Sequence, residues 1–239
     1  EFDKQEGTWT NVTIIAGTGA LGRGADDIVG TESAINTPLG LSLIEDGSTG
    51  EVTAVLIVDH GNHRIRKLDM STRVITTIAG ASGSGFSGDG GSAKDAQLKY
   101  PRHVYYDQST GNIFIADTNN NRIRKVSGGK ISTVVGKTCS DSDGLGDGGQ
   151  ATAACLKSPF DFTMNDAGEW FIADYGNNRV RKVDLHGIVT TVAGGGTIIG
   201  DALATSVRLN SPPSISLTSS GEMLVIDYNG NVVRKMDAS

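Results

Sequence analysis

The chain is 239 residues long, enough for one large domain or two small ones, with 21 Lys plus Arg against 27 Asp plus Glu and a formal charge of −6. That balance excludes a dedicated binder of nucleic acid or anionic membrane, which needs a basic face. The 33 glycines are about double the usual share, the 5 prolines are too few for a disordered or collagen-like chain, and the longest apolar runs are only strand-length.

In chain order, the first strand expected is Asn11–Gly17 (NVTIIAG). A glycine-bearing segment, Thr18–Thr37, leads to a first group of four strands: Pro38–Leu43, Ala54–Val58, Arg64–Lys67 and Val74–Ala79. After a second long segment, Gly80–Tyr100, come Pro101–Tyr106, Ile113–Ala116, Arg122–Lys125 and Ile131–Val135. The third group follows Gly136–Ser158 and holds Pro159–Met164, Trp170–Ala173, Arg179–Lys182 and Ile188–Ala193. The fourth follows Gly194–Ser211 and has only three strands: Pro212–Leu217, Met223–Ile226 and Val232–Lys235. Gly, Asn and Asp turns separate the strands throughout. Short helical turns fit Ser92–Lys99 and Gln150–Lys157.

These groups are copies of one repeat. Asp59, Asp117, Asp174 and Asp227 each open an Asp-x₂-Asn-x-Arg-[Ile/Val]-x-Lys core or a variant of it, 58, 57 and 53 residues apart. A unit of four short antiparallel strands is a propeller blade. The expectation is therefore an all-β β-propeller of four-stranded antiparallel blades over a single domain, 1–239. The repeats run approximately 18–79, 80–136, 137–194 and 195–239. Asn11-Val-Thr-Ile-Ile-Ala-Gly17 matches Ile188-Val-Thr-Thr-Val-Ala-Gly194, so 11–17 is expected to complete the last blade and close four blades into a ring. A larger ring, or one completed by a second chain, stays open as the alternative.

The repeat core resembles the NHL-repeat family. The stretch from Gly85-Phe-Ser-Gly-Asp-Gly-Gly91 to Lys125 is similar to the long-repeat extracellular branch, with teneurin-like and bacterial surface propellers. The resemblance covers nearly the whole chain and implies the propeller fold. It leaves function open, because NHL propellers serve as enzymes, RNA binders and protein-binding platforms. The fourth copy departs from the pattern, with Val232 in place of the first Arg.

In a four-stranded meander the long inter-blade loops and the turns after each repeat Asp emerge at one end, so a site is expected on that rim. Two residues beyond each Pro, near the channel mouth, stand Gly40, His103, Asp161 and Ser214. A His and an Asp converging there suit ligand binding, a metal, or acid–base work. The resemblance also brings a lyase whose channel zinc is held by several histidines. Only His60, His63, His103 and His186 exist here, and a three-histidine set does not assemble from them. Phe86, Tyr175 and Tyr228 are expected as exposed anchors for a partner, with Arg102 near the mouth. Asp141, Asp143 and Asp147 alternate with glycines like an oxygen-ligand loop for Ca²⁺, against the simpler reading of Asp-capped turns. The Arg-x-Arg-Lys segments, each first Arg five residues after an Asp, read as structural ion pairs rather than a nucleic-acid surface.

Cys139 and Cys155 share one long loop, so a disulfide is expected, and with it an oxidising compartment. Asn11-Val-Thr13 is a glycosylation sequon consistent with a secreted glycoprotein. The leading expectation is an extracellular module, or an ectodomain of a surface protein, that presents its looped face to a protein or glycan. It is expected to work without a cofactor, without nucleic acid and without direct membrane insertion. The alternatives are a metal-assisted lyase or hydrolase using His103 and Asp161, with Zn²⁺ or Ca²⁺, and a purely architectural domain. The sequence leans against an enzyme and leaves the oligomeric state undetermined.

Overall fold

The computed structural model describes residues 2–3, 8–9, 11–140 and 144–237. It is all-β, with helix confined to three-residue 3₁₀ turns among the described residues. The four repeats form four antiparallel blades of a β-propeller. The first holds Pro38–Glu45, Val52–Asp59, Arg64–Asp69 and Val74–Ala79, with Ile28–Val29 added on its outer edge. The second holds His103–Tyr106, Ile113–Asp117, Arg122–Ser127 and Lys130–Val135, and the third Pro159–Met164, Trp170–Asp174, Arg179–Val183 and Val189–Gly194. The fourth has three strands, Ile215–Leu217, Met223–Asp227 and Val232–Met236. Phe2–Asp3 and Thr8–Trp9 pair with each other apart from the blades.

In the first three blades the second strand is apolar on both faces because the blade is covered on both sides. In the first blade Leu56 and Val58 point into the core shared with the second blade, while Val55 and Ile57 point the opposite way. Three such inter-blade cores follow in sequence. Val104 and Ile115 meet Leu56, Val58 and Ile65; Phe162 and Ile172 meet Phe114 and Ile123; Ile215 and Val225 meet Ala173 and Val180. Burying apolar area at roughly 25 cal/mol per Å² is the main force joining blade to blade.

The outer strand carries a bulge at one fixed place, between Ile65 and Arg66, Ile123 and Arg124, and Val180 and Arg181 of its partner. It ends on a glycine for a steric reason. A Cβ on Gly136, whose φ is +95°, would lie 2.4 Å from the Asn121 carbonyl oxygen, and Gly80 and Gly194 are placed alike.

Asn11–Gly17 does not complete the last blade. Among the described residues it belongs to no strand, and Val12 and Ile14 are exposed. Instead Gly17 N–H donates to the Gly30 carbonyl, and Ala16 packs with Ile35 on the far face of the first blade, over Val55, Ile57, Leu68 and Ile75. That apolar face needs cover, and the segment leading into the blade is the nearest chain to supply it. Of the two helical turns expected in the loops, a 3₁₀ turn forms at Ala151–Ala153; Ser92–Lys99 holds hydrogen-bonded turns and a single bridge from Ser92 to Lys130.

Candidate functional site: the looped rim

Each blade builds its rim from the repeat Asp. Asp59, Asp117, Asp174 and Asp227 are buried at the end of the second strand. Their Oδ1 atoms accept the backbone N–H of Asn36, Lys99, Lys157 and Asn210, at 2.7–2.8 Å, from the incoming long loop. Asn62, Asn120 and Asn177 donate Nδ2–H to the same carboxylates. A 3₁₀ turn follows each Asp and ends on a left-handed residue, His63, Asn121, Asn178 or Asn231. The turns donate backbone N–H to carbonyls of the incoming loops, Gly61 to Asn36, Asn119 to Lys99, Gly176 to Lys157 and Asn229 to Asn210. Loops and turns therefore share one end of the molecule, as the meander requires.

The Arg of each core is an ion-pair partner, but the structure reassigns which one. In the first blade Arg64 Nε donates to Asp59 at 2.7 Å. In the second and third blades the second Arg takes this place: Arg124 with Asp117 and Arg181 with Asp174, at 3.2 and 3.3 Å. Arg122 turns away, donating to the Asn120 carbonyl and lying 3.8 Å over the Phe86 ring. Arg66, Arg124 and Arg181, fully buried, reach outward to Asp26, Asp89 and Asp147. Those aspartates in turn accept Thr77, Thr133 and Thr191 hydroxyls of the outer strand. Burial pushes the Asp117 carboxyl up to about 6, against the pull of Asn120, the Lys99 amide and Arg124, and pushes Asp174 upward for the same reason.

This network fixes several of the expected site residues. Asp147 holds Arg181 and Thr191, as Asp89 holds their counterparts; Asp141 and Asp143 lie outside the described residues. Phe86, partly exposed, is the platform for Arg122 and Arg124. Cys139 and Cys155 form a disulfide, and the Cys155 carbonyl accepts Asn177 Nδ2–H, which ties the stapled loop to the rim.

At the mouth, the inner strands of the second, third and fourth blades bring His103, Asp161 and Ser214 together. His103 Nδ1 lies 3.2 Å from Asp161 Oδ1, while Ser214 Oγ donates to Asp161 Oδ2 at 2.7 Å. The first blade contributes Gly40 because a Cβ there would sit 2.7 Å from the Arg102 carbonyl oxygen. Burial lowers the His103 pKa and Asp161 opposes it. The lowered pKa favours the neutral imidazole, whose Nδ1 faces the carboxylate. The carboxylate stands between imidazole and hydroxyl, so His103 does not activate Ser214, unlike the order of a nucleophilic triad. His60 and His63 flank Tyr100 on the rim, and His186 lies in the hairpin turn after Asp184. Among the described residues no three His, Cys, Asp or Glu side chains gather as a metal centre, so the donors do not fit the several-histidine zinc site.

Beside the mouth stands a stack. The Arg102 guanidinium lies 3.9 Å over Phe160, whose ring stacks on Tyr175 at 3.9 Å and 8°. No acidic side chain among the described residues pairs with Arg102, and burial lowers its pKa. Tyr228 stands 59% exposed on the last blade. Phe160 was not among the expected site residues, although it directly follows the rim proline, as Arg102 does one blade earlier; that alignment is the signal that identifies it.

Residues 98–126 match the NHL repeat family. The chain is 37% identical over 103 residues to the chloroplastic protein SUPPRESSOR OF QUENCHING 1 of Arabidopsis thaliana, covering 43% of this chain and 9% of that one. It is 31% identical over 156 residues to Teneurin-4 of Mus musculus, covering 54% and 5%. Among solved structures, an auxiliary nutrient binding protein from Bacteroides ovatus superposes with a TM-score of 0.64 at 19% identity, over 85% of this chain and 48% of that one. The chain thus spans less than a tenth of those two curated relatives and about half of the solved neighbour.

Proposed function

We propose that this β-propeller of NHL repeats is an interaction module that holds a protein or glycan partner on its looped rim, in an extracellular setting. The observation that carries the reading is the Arg102–Phe160–Tyr175 stack: a half-buried guanidinium with no acidic partner among the described residues, lying over the Phe160 ring, which itself stacks on Tyr175 beside the mouth. Arg and Tyr in such settings are the side chains that dominate binding energy. The Cys139–Cys155 disulfide supports an oxidising compartment, and Asn11 of the sequon is exposed. The chloroplastic relative weighs against assigning the compartment by likeness alone. No helix among the described residues is long and apolar enough to cross a membrane.

The test is a screen of the purified chain on a glycan array and a panel of extracellular proteins, followed by substitutions. Arg102→Ala and Tyr228→Ala should weaken the partner at least tenfold while His186→Ala, at the opposite end, leaves it unchanged. Equal losses at both ends would remove the rim from the reading. A second reading, a lyase or hydrolase with His103 as proton acceptor, is favoured by the Asp161 carboxylate standing 3.2 Å from His103 Nδ1. It requires turnover of some rim ligand that His103→Gln abolishes.

A further inference from the structure

The first and last blades present two halves of an interface that the chain makes three times internally. On the first blade Leu39, Leu41 and Leu43 face away from the second blade and are exposed, Leu41 by 62%. Its counterparts Val104 and Phe162 are buried in inter-blade cores. On the last blade Leu224, Ile226 and Val233 are exposed, Val233 by 68%, where their counterparts Leu56, Val58 and Ile65 are fully buried. No inter-blade core, hydrogen bond or ion pair among the described residues joins the first blade to the last.

The strand edges are matched in the same way. The last blade has an unpaired third strand, Val232–Met236, beside a groove of about 1100 Å³ lined by Leu203, Val225 and Val233. Asn11–Gly17 carries the outer-strand pattern and is already set as an outer strand ends. Gly17 N–H donates to the Gly30 carbonyl as Gly80 donates to Ala93, Gly136 to Ala151 and Gly194 to Ala204. Its φ of +93° matches the +95° of Gly136, although no strand carbonyl crowds it. The segment therefore sits where the outer strand of a preceding blade belongs.

We infer that a second copy of this chain covers both exposed faces: the last blade of one copy packs on the first blade of the other, and Asn11–Gly17 of the second copy adds to Val232–Met236 of the first. The contact continues the internal blade-to-blade interface. Strand addition supplies the main-chain hydrogen bonds that an open edge leaves unmade. Two such heterologous contacts close two four-bladed arcs into one eight-bladed ring, within the usual range of 4–8 blades. The pairing of Lys182 with Thr190 and of Val180 with Ala193 sets the register, Lys235 opposite Thr13 and Val233 opposite Ala16.

Sedimentation of the 239-residue chain should give about twice its 24.9 kDa mass. Leu41→Arg and Val233→Glu, both at exposed positions, should each return it to monomer with an unchanged circular dichroism spectrum. Thr13→Cys chains mixed with Lys235→Cys chains should form a disulfide between different copies under mild oxidation. A wild-type chain that stays monomeric overturns the inference, as does an internally bridged monomer from the double-cysteine variant, which would mean that the chain closes on itself. A ladder of larger species would equally overturn the two-copy ring.

Discussion

At the scale of single residues, the buried charges set the expectations. A buried carboxylate is tolerated only while its donors are in place, so removing one partner costs far more than the pair contributes. Arg181→Ala would leave Asp174 without its cation and should lower unfolding free energy by about 3–5 kcal/mol in urea titrations. Arg179→Ala, which loses a bond to the Asn177 carbonyl, should cost about 1 kcal/mol. Equal costs would mean that the reassignment of the ion pair is wrong. The sequence shows both arginines two residues apart on one face of a strand, and periodicity cannot say which reaches the Asp. In the second blade that depends on Phe86, from another loop, holding Arg122 aside. His103 is the residue with a pH signature. Its pKa is lowered from 6.5, so the fold favours the neutral ring, and the stability this contributes is present above pH 6.5 and lost as pH falls through that range. The melting-temperature advantage of the wild type over His103→Gln should therefore shrink between pH 8 and pH 5. Asp161→Asn removes the opposing influence and should lower the His103 pKa further, read by titrating its ring nitrogens by NMR.

At the scale of elements, the repeat made most of the structure legible. The Asp, the 3₁₀ turn, the left-handed residue and the Arg-bearing strand are local, so a ten-residue motif suffices to specify them four times. The Cys139–Cys155 staple was legible because no aligned position of another blade carries cysteine. The rim stack was not, because Arg102 and Phe160 lie one blade apart and meet only through the spacing of the inner strands. Two expectations belong at this scale. The staple closes a loop with a sequence separation of 16, and replacing both cysteines by serine should cost about 3 kcal/mol. That should appear as a melting point lower by several degrees, and reductant should then have no further effect on the variant. Gly136→Ala forces a Cβ onto the Asn121 carbonyl at a positive φ and should destabilise by more than about 1 kcal/mol in urea titration, whereas Gly128→Ala, with open space around it, should cost less.

At the scale of the whole molecule, the sequence was a poor guide to closure. An alternating strand such as Asn11–Gly17 declares which of its faces is apolar, and the pattern is the same whichever blade it completes. What decides the matter is the order of the cores, which run from first blade to last without returning. An array whose units touch only their neighbours has a stability that varies along it. The second and third blades are packed on both sides, while the last has a core on one face and an open edge on its third strand. In the monomeric Leu41→Arg chain, amides of Val232–Met236 should therefore exchange first and those of Ile113–Asp117 and Trp170–Asp174 last, separated by at least tenfold in rate. Hydrogen-exchange mass spectrometry resolves these segments. Uniform protection across all four blades would show that the monomer closes into a ring by itself. Slow exchange confined to the middle blades would show that the four blades do not close into a ring by themselves.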